Sequence, residues 1–295
     1  MSQLNIFINI LILLALGIGI PSLFVIGLSI FKIKINKVGQ MYLYSFAAGL
    51  IIILGTVGFI GESLEHIREH LHETDALSIL QTIGLVGGGS IIGIALVFFM
   101  RWIVTRKKEL HEHHHFHDHN DQIFNATDID NKAIKWLPIL LLLGHRCVDG
   151  ITLGFMANTS SEGHVGIAEF NNWGMIIVFA IHLIPTSIII YLIQLDIQKN
   201  NRFKALMVTI AMSLVMIPFT LLGGFLIANV QDTVWWLMPL LFAISGSIMT
   251  LMSIIELIPE FIHFRNSQRK QWITSIVLLS LGIILSIILI CVHTH

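Results

Sequence analysis

The chain has 295 residues, of which 55% are apolar and only 12% are Asp, Glu, Lys or Arg. A water-facing surface needs roughly 25% charged residues, so an ordinary soluble enzyme and a disordered chain are both excluded. The formal net charge of −1 offers no basic field to nucleic acid, and two cysteines in apolar segments, Cys147 and Cys291, build neither a disulfide framework nor a four-thiolate zinc site.

About 20 apolar residues cross the hydrocarbon core of a bilayer. Eight stretches meet that length, near 5–31, 40–61, 79–104, 134–157, 171–195, 203–229, 234–257 and 271–292. The first lacks a basic start and a small-residue cleavage site, so it is expected to be a span and not a signal peptide. Span 2 contains Ala47-Ala48-Gly49, and its outward continuation carries Glu62, His66, Glu69 and His70 at helical spacing. That cluster reads either as an entrance that collects cations or as a solvated helix extension.

Between spans 3 and 4 lies the longest polar stretch, about 105–133, a low-complexity segment expected to be mobile. Its six histidines, His111, His113, His114, His115, His117 and His119, can bind divalent metal weakly and several ions at a time, or form a harmless polar loop.

Span 4 contains Leu143-Gly-His-Arg-Cys-Val-Asp-Gly150, and span 5 contains Ile181-His-Leu-Ile-Pro-Thr-Ser187. A charge at mid-bilayer costs roughly 2.5–3.5 kcal/mol on insertion scales, so each asks for a reason. His145 and Asp149 are four residues apart and share a helix face. An imidazole and a carboxylate are ordinary ligands for zinc and similar divalent cations. His182 precedes Pro185, whose ring frees the Ile181 carbonyl beside it. His145, Asp149 and His182 together form a three-ligand site with open positions, suited to a passing ion. Two plainer readings stand beside it: Asp149 neutralised by Arg146, and His182 as a hydrogen-bonded packing residue. Near the cytoplasmic end of span 7, Glu256 and Glu260 are a candidate exit or a pair of solvated interfacial carboxylates.

Basic residues set the orientation. Lys32, Lys34 and Lys37 fall in loop 1–2, and Arg101, Arg106, Lys107, Lys108, Lys132 and Lys135 in loop 3–4 and its flanks. Lys199, Arg202 and Lys204 fall in loop 5–6, and Arg265, Arg269 and Lys270 in loop 7–8. These are 15 of the 17 Lys and Arg, all on one side. Both termini are therefore expected outside and the His-rich loop in the cytoplasm. The fold expected is all-α, a polytopic bundle of eight transmembrane helices forming one domain over 1–295. A short match links Ala47-Ala48-Gly49 and Glu62–His66 with Ile244-Ser245-Gly246 and Pro259–His263. It reads as an inverted-topology repeat or as chance similarity between glycine-containing apolar helices.

This pattern resembles the ZIP (Zrt/Irt-like) family of divalent metal transporters. The residues that carry the resemblance are His145 to Gly150, which fit the family's His-x-x-x-(Asp/Glu)-Gly motif, and His182 with Pro185. The start of span 2, Ser45 to Gly49, and the end of span 7, Ile255 to Glu260, also look like the family. The resemblance implies a 3+2+3 inverted repeat in an integral cell-membrane protein. It further implies a transported divalent metal, zinc foremost, moved into the cytoplasm. A homodimer is the assembly to test. The family's second metal uses an amide after the span-4 His, an acid or amide after the span-5 His and a Glu after the Pro; here those positions hold Arg146, Leu183 and Thr186. A single-metal site is the expectation, with the Arg146 guanidinium near the second metal's place, supplying positive charge to Asp149, and with Thr186 or Ser187 assisting. The lost ligands leave a competing expectation of a metal-sensing protein that does not transport. A carrier for another solute, with Arg146 as its handle, is a third. No His-Glu-x-x-His lies in any span, so an intramembrane enzyme is not expected.

Overall fold

Long runs of Ile, Leu, Val and Phe without charge leave a backbone in lipid no partner but itself, and helices satisfy every internal N–H and C=O. The computed structural model describes residues 3–32, 35–71, 76–109, 137–159, 173–227, 234–258 and 269–293. Among the described residues the regular structure is helical throughout, with no strand. Seven helices among the described residues are long and apolar enough to cross a membrane, which marks this as a membrane-embedded protein. They are α1 (Leu4–Ile30), α2 (Lys37–Arg68), α3 (Ala76–Ile103), α5 (its apolar part Ala180–Ile197), α6 (Arg202–Phe225), α7 (Leu237–Ile255) and α8 (Arg269–Cys291). Between α3 and α5 comes α4 (Leu137–Thr159), 23 residues long, which holds His145, Arg146 and Asp149 and is not among the seven.

Packing divides the helices into two groups. α2 lies along α8, and α7 lies along α3 and α2, while α1 and α6 each pack against both α4 and α5. The groups meet where α7 touches α4 and where α2 and α8 touch α5. α5 and α7 are the most enclosed, with 61% of their apolar windows buried, against 17% for α3 and 22% for α8. The sites of interest therefore belong to the centre, and α3 and α8 present most of their surface outward.

Two local features position the centre. Glycines let α4 and α6 touch backbone to backbone: a Cβ on Gly150 would come within 2.7 Å of the Met216 carbonyl, and one on Gly154 would overlap that of Thr220. The second feature is a π-helical turn, Leu54–Phe59, in α2. Such turns shift the register of the side chains that follow and recur at functional sites; this one delivers Phe59 to the middle of the molecule. Among the described residues four more π turns occur, at Ala15–Gly19, Ile83–Gly87, Gly223–Ile227 and Ser253–Leu257, none of them anticipated from sequence. α5, by contrast, runs through Pro185 as one helix from Trp173 to Ile197. The Thr186 hydroxyl bonds to the carbonyls of His182 and Leu183 at 3.2 and 3.0 Å, and Ser187 donates to Leu183 at 2.6 Å, so neighbouring hydroxyls serve the backbone around the proline.

Candidate metal centre

One helical turn on α4 sets His145 and Asp149 side by side, and α5 brings His182 against them. One carboxylate oxygen, Asp149 Oδ2, lies 3.1 Å from His145 Nε2 and 3.4 Å from His182 Nε2. All three residues are buried to within 2% of completeness, and their donor atoms lie within 4.8 Å of one another. Among the described residues this is the one group of His, Cys, Asp and Glu that can hold a metal ion. In a tetrahedral zinc site with bonds near 2.0–2.2 Å, neighbouring donors sit about 3.3 Å apart, so the two nitrogen–oxygen separations match a tetrahedral edge.

Orientation points the same way as distance. His145 Nε2 and Asp149 Oδ1 are buried without a hydrogen-bond partner. Nε2 is close to the carboxylate yet not aimed along a hydrogen bond to it, as expected where both donors face a shared centre. The other ring nitrogen, His145 Nδ1, is 3.0 Å from Ser245 Oγ on α7. A partner on one imidazole nitrogen fixes the ring and leaves the opposite nitrogen for an ion. Phe59 closes the apolar side, its ring edge-on to His145 and His182 at centroid distances of 6.0 and 6.4 Å.

Arg146 turns away from this cluster. Its guanidinium is 1% exposed and donates from Nη1 to Ser213 Oγ on α6 at 2.7 Å and from Nη2 to Ser187 Oγ on α5 at 2.6 Å. Among the described residues the ion-pair partners of Asp149 are the two imidazoles, and Arg146 forms no contact of that kind with it. The neutralising Arg146–Asp149 pair is thus not formed, and the positive charge that Arg146 supplies reaches Asp149 only through space.

The remaining sequence-derived candidates divide as follows. The hydroxyls of Thr186 and Ser187 are engaged by backbone carbonyls and, for Ser187, by Arg146, and neither residue joins the metal group. Glu62 and His66 are half-buried and His70 is exposed; these three do not converge as a metal-holding group. His66 instead stacks on Phe242 at 5.6 Å and meets Phe155 edge-on, and His70 stacks on Trp235 at 5.5 Å. The side chains of Glu69 and Glu256, the whole of Glu260, and His111, His113, His114, His115, His117 and His119 lie outside the described residues.

Ser245, Ser213 and Phe59 were not singled out from sequence. Ser245 carried a faint signal as the middle of Ile244-Ser245-Gly246; the other two carried none, because their roles depend on which helices become neighbours. The site as a whole defines a membrane protein with an enclosed imidazole–carboxylate centre. No protein-family model and no curated protein matches the chain.

Proposed function

We propose that this chain is a ZIP-like carrier that moves a divalent transition metal, zinc foremost, across the membrane into the cytoplasm. The observation that carries this function is the convergence of His145, Asp149 and His182 on one buried point, with Nε2 and Oδ1 unpartnered. The cation is cargo. It exchanges its water for two imidazoles and a carboxylate, and the open positions let it leave again.

α4 is taken as the eighth span, giving termini outside and the His-rich loop in the cytoplasm, in line with the basic residues on one side. The packing supports an inverted 3+2+3 repeat. Exchanging α1 with α6, α2 with α7, α3 with α8 and α4 with α5 converts the α2–α8 contact into α7–α3 and the α1–α5 contact into α6–α4, and both members of each pair exist. Glycines follow suit: Gly282 of α8 seats on Phe46 and Leu50, and Gly89 and Gly93 of α3 seat on Ala243 and Ser247, the positions four residues apart that the short sequence match equates.

Uptake of labelled zinc into liposomes containing the purified protein tests this, with Asp149→Ala and Arg146→Asn beside wild type. Wild type accumulates zinc, Asp149→Ala does not, and Arg146→Asn alters the rate. A metal sensor that binds without turnover is the second reading, favoured by the Arg146 tie across α4, α5 and α6. Zinc bound by purified wild type with no flux selects the sensor; no zinc bound at all defeats both.

A further inference from the structure

In lipid-embedded helices a serine or threonine hydroxyl normally returns its proton to a carbonyl one turn back. This protein follows the habit closely. Of the buried hydroxyls, those of Ser45, Thr186, Ser187, Thr209, Ser213, Thr220, Ser247, Ser275 and Ser286 donate within their own helix. Ser63 and Ser253 donate to carbonyls of a neighbouring helix, and Ser245 meets His145. Thr152 is the exception among the described buried serines and threonines: it is 0% exposed and its Oγ1 has no partner.

Its place on α4 gives the exception a direction. Thr152 follows His145 by seven residues, two turns, so the two lie within about 20° of one another around the helix axis. It follows Asp149 by three residues, a rise of about 4.5 Å, and helical side chains lean back toward the N-terminus, here toward Asp149. Asp149 Oδ1, the carboxylate oxygen that the imidazoles do not use, is itself buried and unpartnered. Of the nine buried polar atoms without a partner among the described residues, His145 Nε2, Asp149 Oδ1 and Thr152 Oγ1 fall along this one face.

We infer that Thr152 is a positioning residue for the ion's remaining water: a water molecule on the ion donates one proton to Asp149 Oδ1 and the other to Thr152 Oγ1. One water then supplies both orphaned oxygens, and the ion keeps a fourth ligand that the protein does not provide. This rests on the carrier function above and assigns the open coordination position to a site with its own holder. It also favours ions that retain water over those that demand a fully protein-built cage.

The test uses purified protein in detergent with cobalt(II) as probe, read by its visible absorption, and zinc uptake in liposomes. Thr152→Val keeps the shape and removes the hydroxyl; Thr152→Ser keeps the hydroxyl. The expected result is a cobalt affinity about tenfold weaker in the valine variant, as for loss of an outer-shell partner, with a changed band shape and a raised KM for zinc. The serine variant restores the wild-type band and recovers affinity to within about threefold. An unchanged cobalt band and affinity in Thr152→Val overturns the inference and leaves the carrier intact. Equal losses in valine and serine variants, with a lowered melting temperature, assign Thr152 to packing and also overturn it. Failure of wild type to bind cobalt or zinc removes the metal centre itself, and the inference with it.

Discussion

Two polar clusters sit within one turn of each other on α4, and they are finished differently. Around Arg146 each terminal guanidinium nitrogen meets a serine, and each serine passes its own proton to a backbone carbonyl. Around Asp149 the two imidazole contacts are longer, 3.1 and 3.4 Å against 2.7 and 2.6 Å at Arg146, and His145 Nε2 and Asp149 Oδ1 have no hydrogen-bond partner. Burying an unmatched polar group costs about 1–3 kcal/mol, more for a charge. At Arg146 both terminal nitrogens are supplied and only Nε lacks a partner, so this cluster serves as a tie between helices; at the metal centre the imidazole and the carboxylate each keep an unmatched atom beside the other. Convergence of unmatched ligand atoms, more than polarity itself, separates a binding centre from a structural brace.

The sharpest way to break that contrast is Asp149→Ala. It removes the oxygen shared by both imidazoles, and zinc binding should weaken at least about a hundredfold, measured by titration of the purified protein. Unchanged affinity would mean that the rings are not ligands. Ser245→Ala comes next: it releases His145 Nδ1, and a loss of about tenfold in zinc affinity is expected, with little change in melting temperature. Ser213→Ala should do the reverse. A hydrogen bond to a charged group contributes about 1.5–3 kcal/mol, so the melting temperature falls while zinc affinity stays within about threefold. If Ser213→Ala weakens zinc as much as Ser245→Ala, the two clusters are one unit. The smallest effect is that of pH. Protons and metal compete for the imidazole nitrogens, so metal binding releases protons and affinity falls as the medium becomes acidic. Zinc affinity measured by titration should therefore fall on acidification; an affinity that rises in acid would count against imidazole ligation.

Much of the centre was legible in sequence because helical periodicity is local. Four residues separate His145 from Asp149, and no fold that keeps α4 helical can part them. The pairing with His182 was a weaker inference, since it needed α4 and α5 to face each other. The helix continues through Pro185, and the Thr186 and Ser187 hydroxyls bond to the His182 and Leu183 carbonyls and not to that of Ile181, so the hydroxyls proposed as ligands are occupied. Arg146 shows the limit most clearly. Three residues from Asp149, it has the spacing of an ion pair, but two serines on other helices hold it elsewhere.

Composition alone determined that this chain lives in lipid and folds as helices, because a backbone without water must bond to itself and 12% charge cannot coat a soluble surface. Spacing within α4 determined half of the metal centre. Only tertiary structure decided which polar atoms were answered and which were left open. That depends on α7 offering Ser245, α6 offering Ser213 and a π turn in α2 offering Phe59, and contacts between helices far apart in the chain follow from packing that no local pattern encodes.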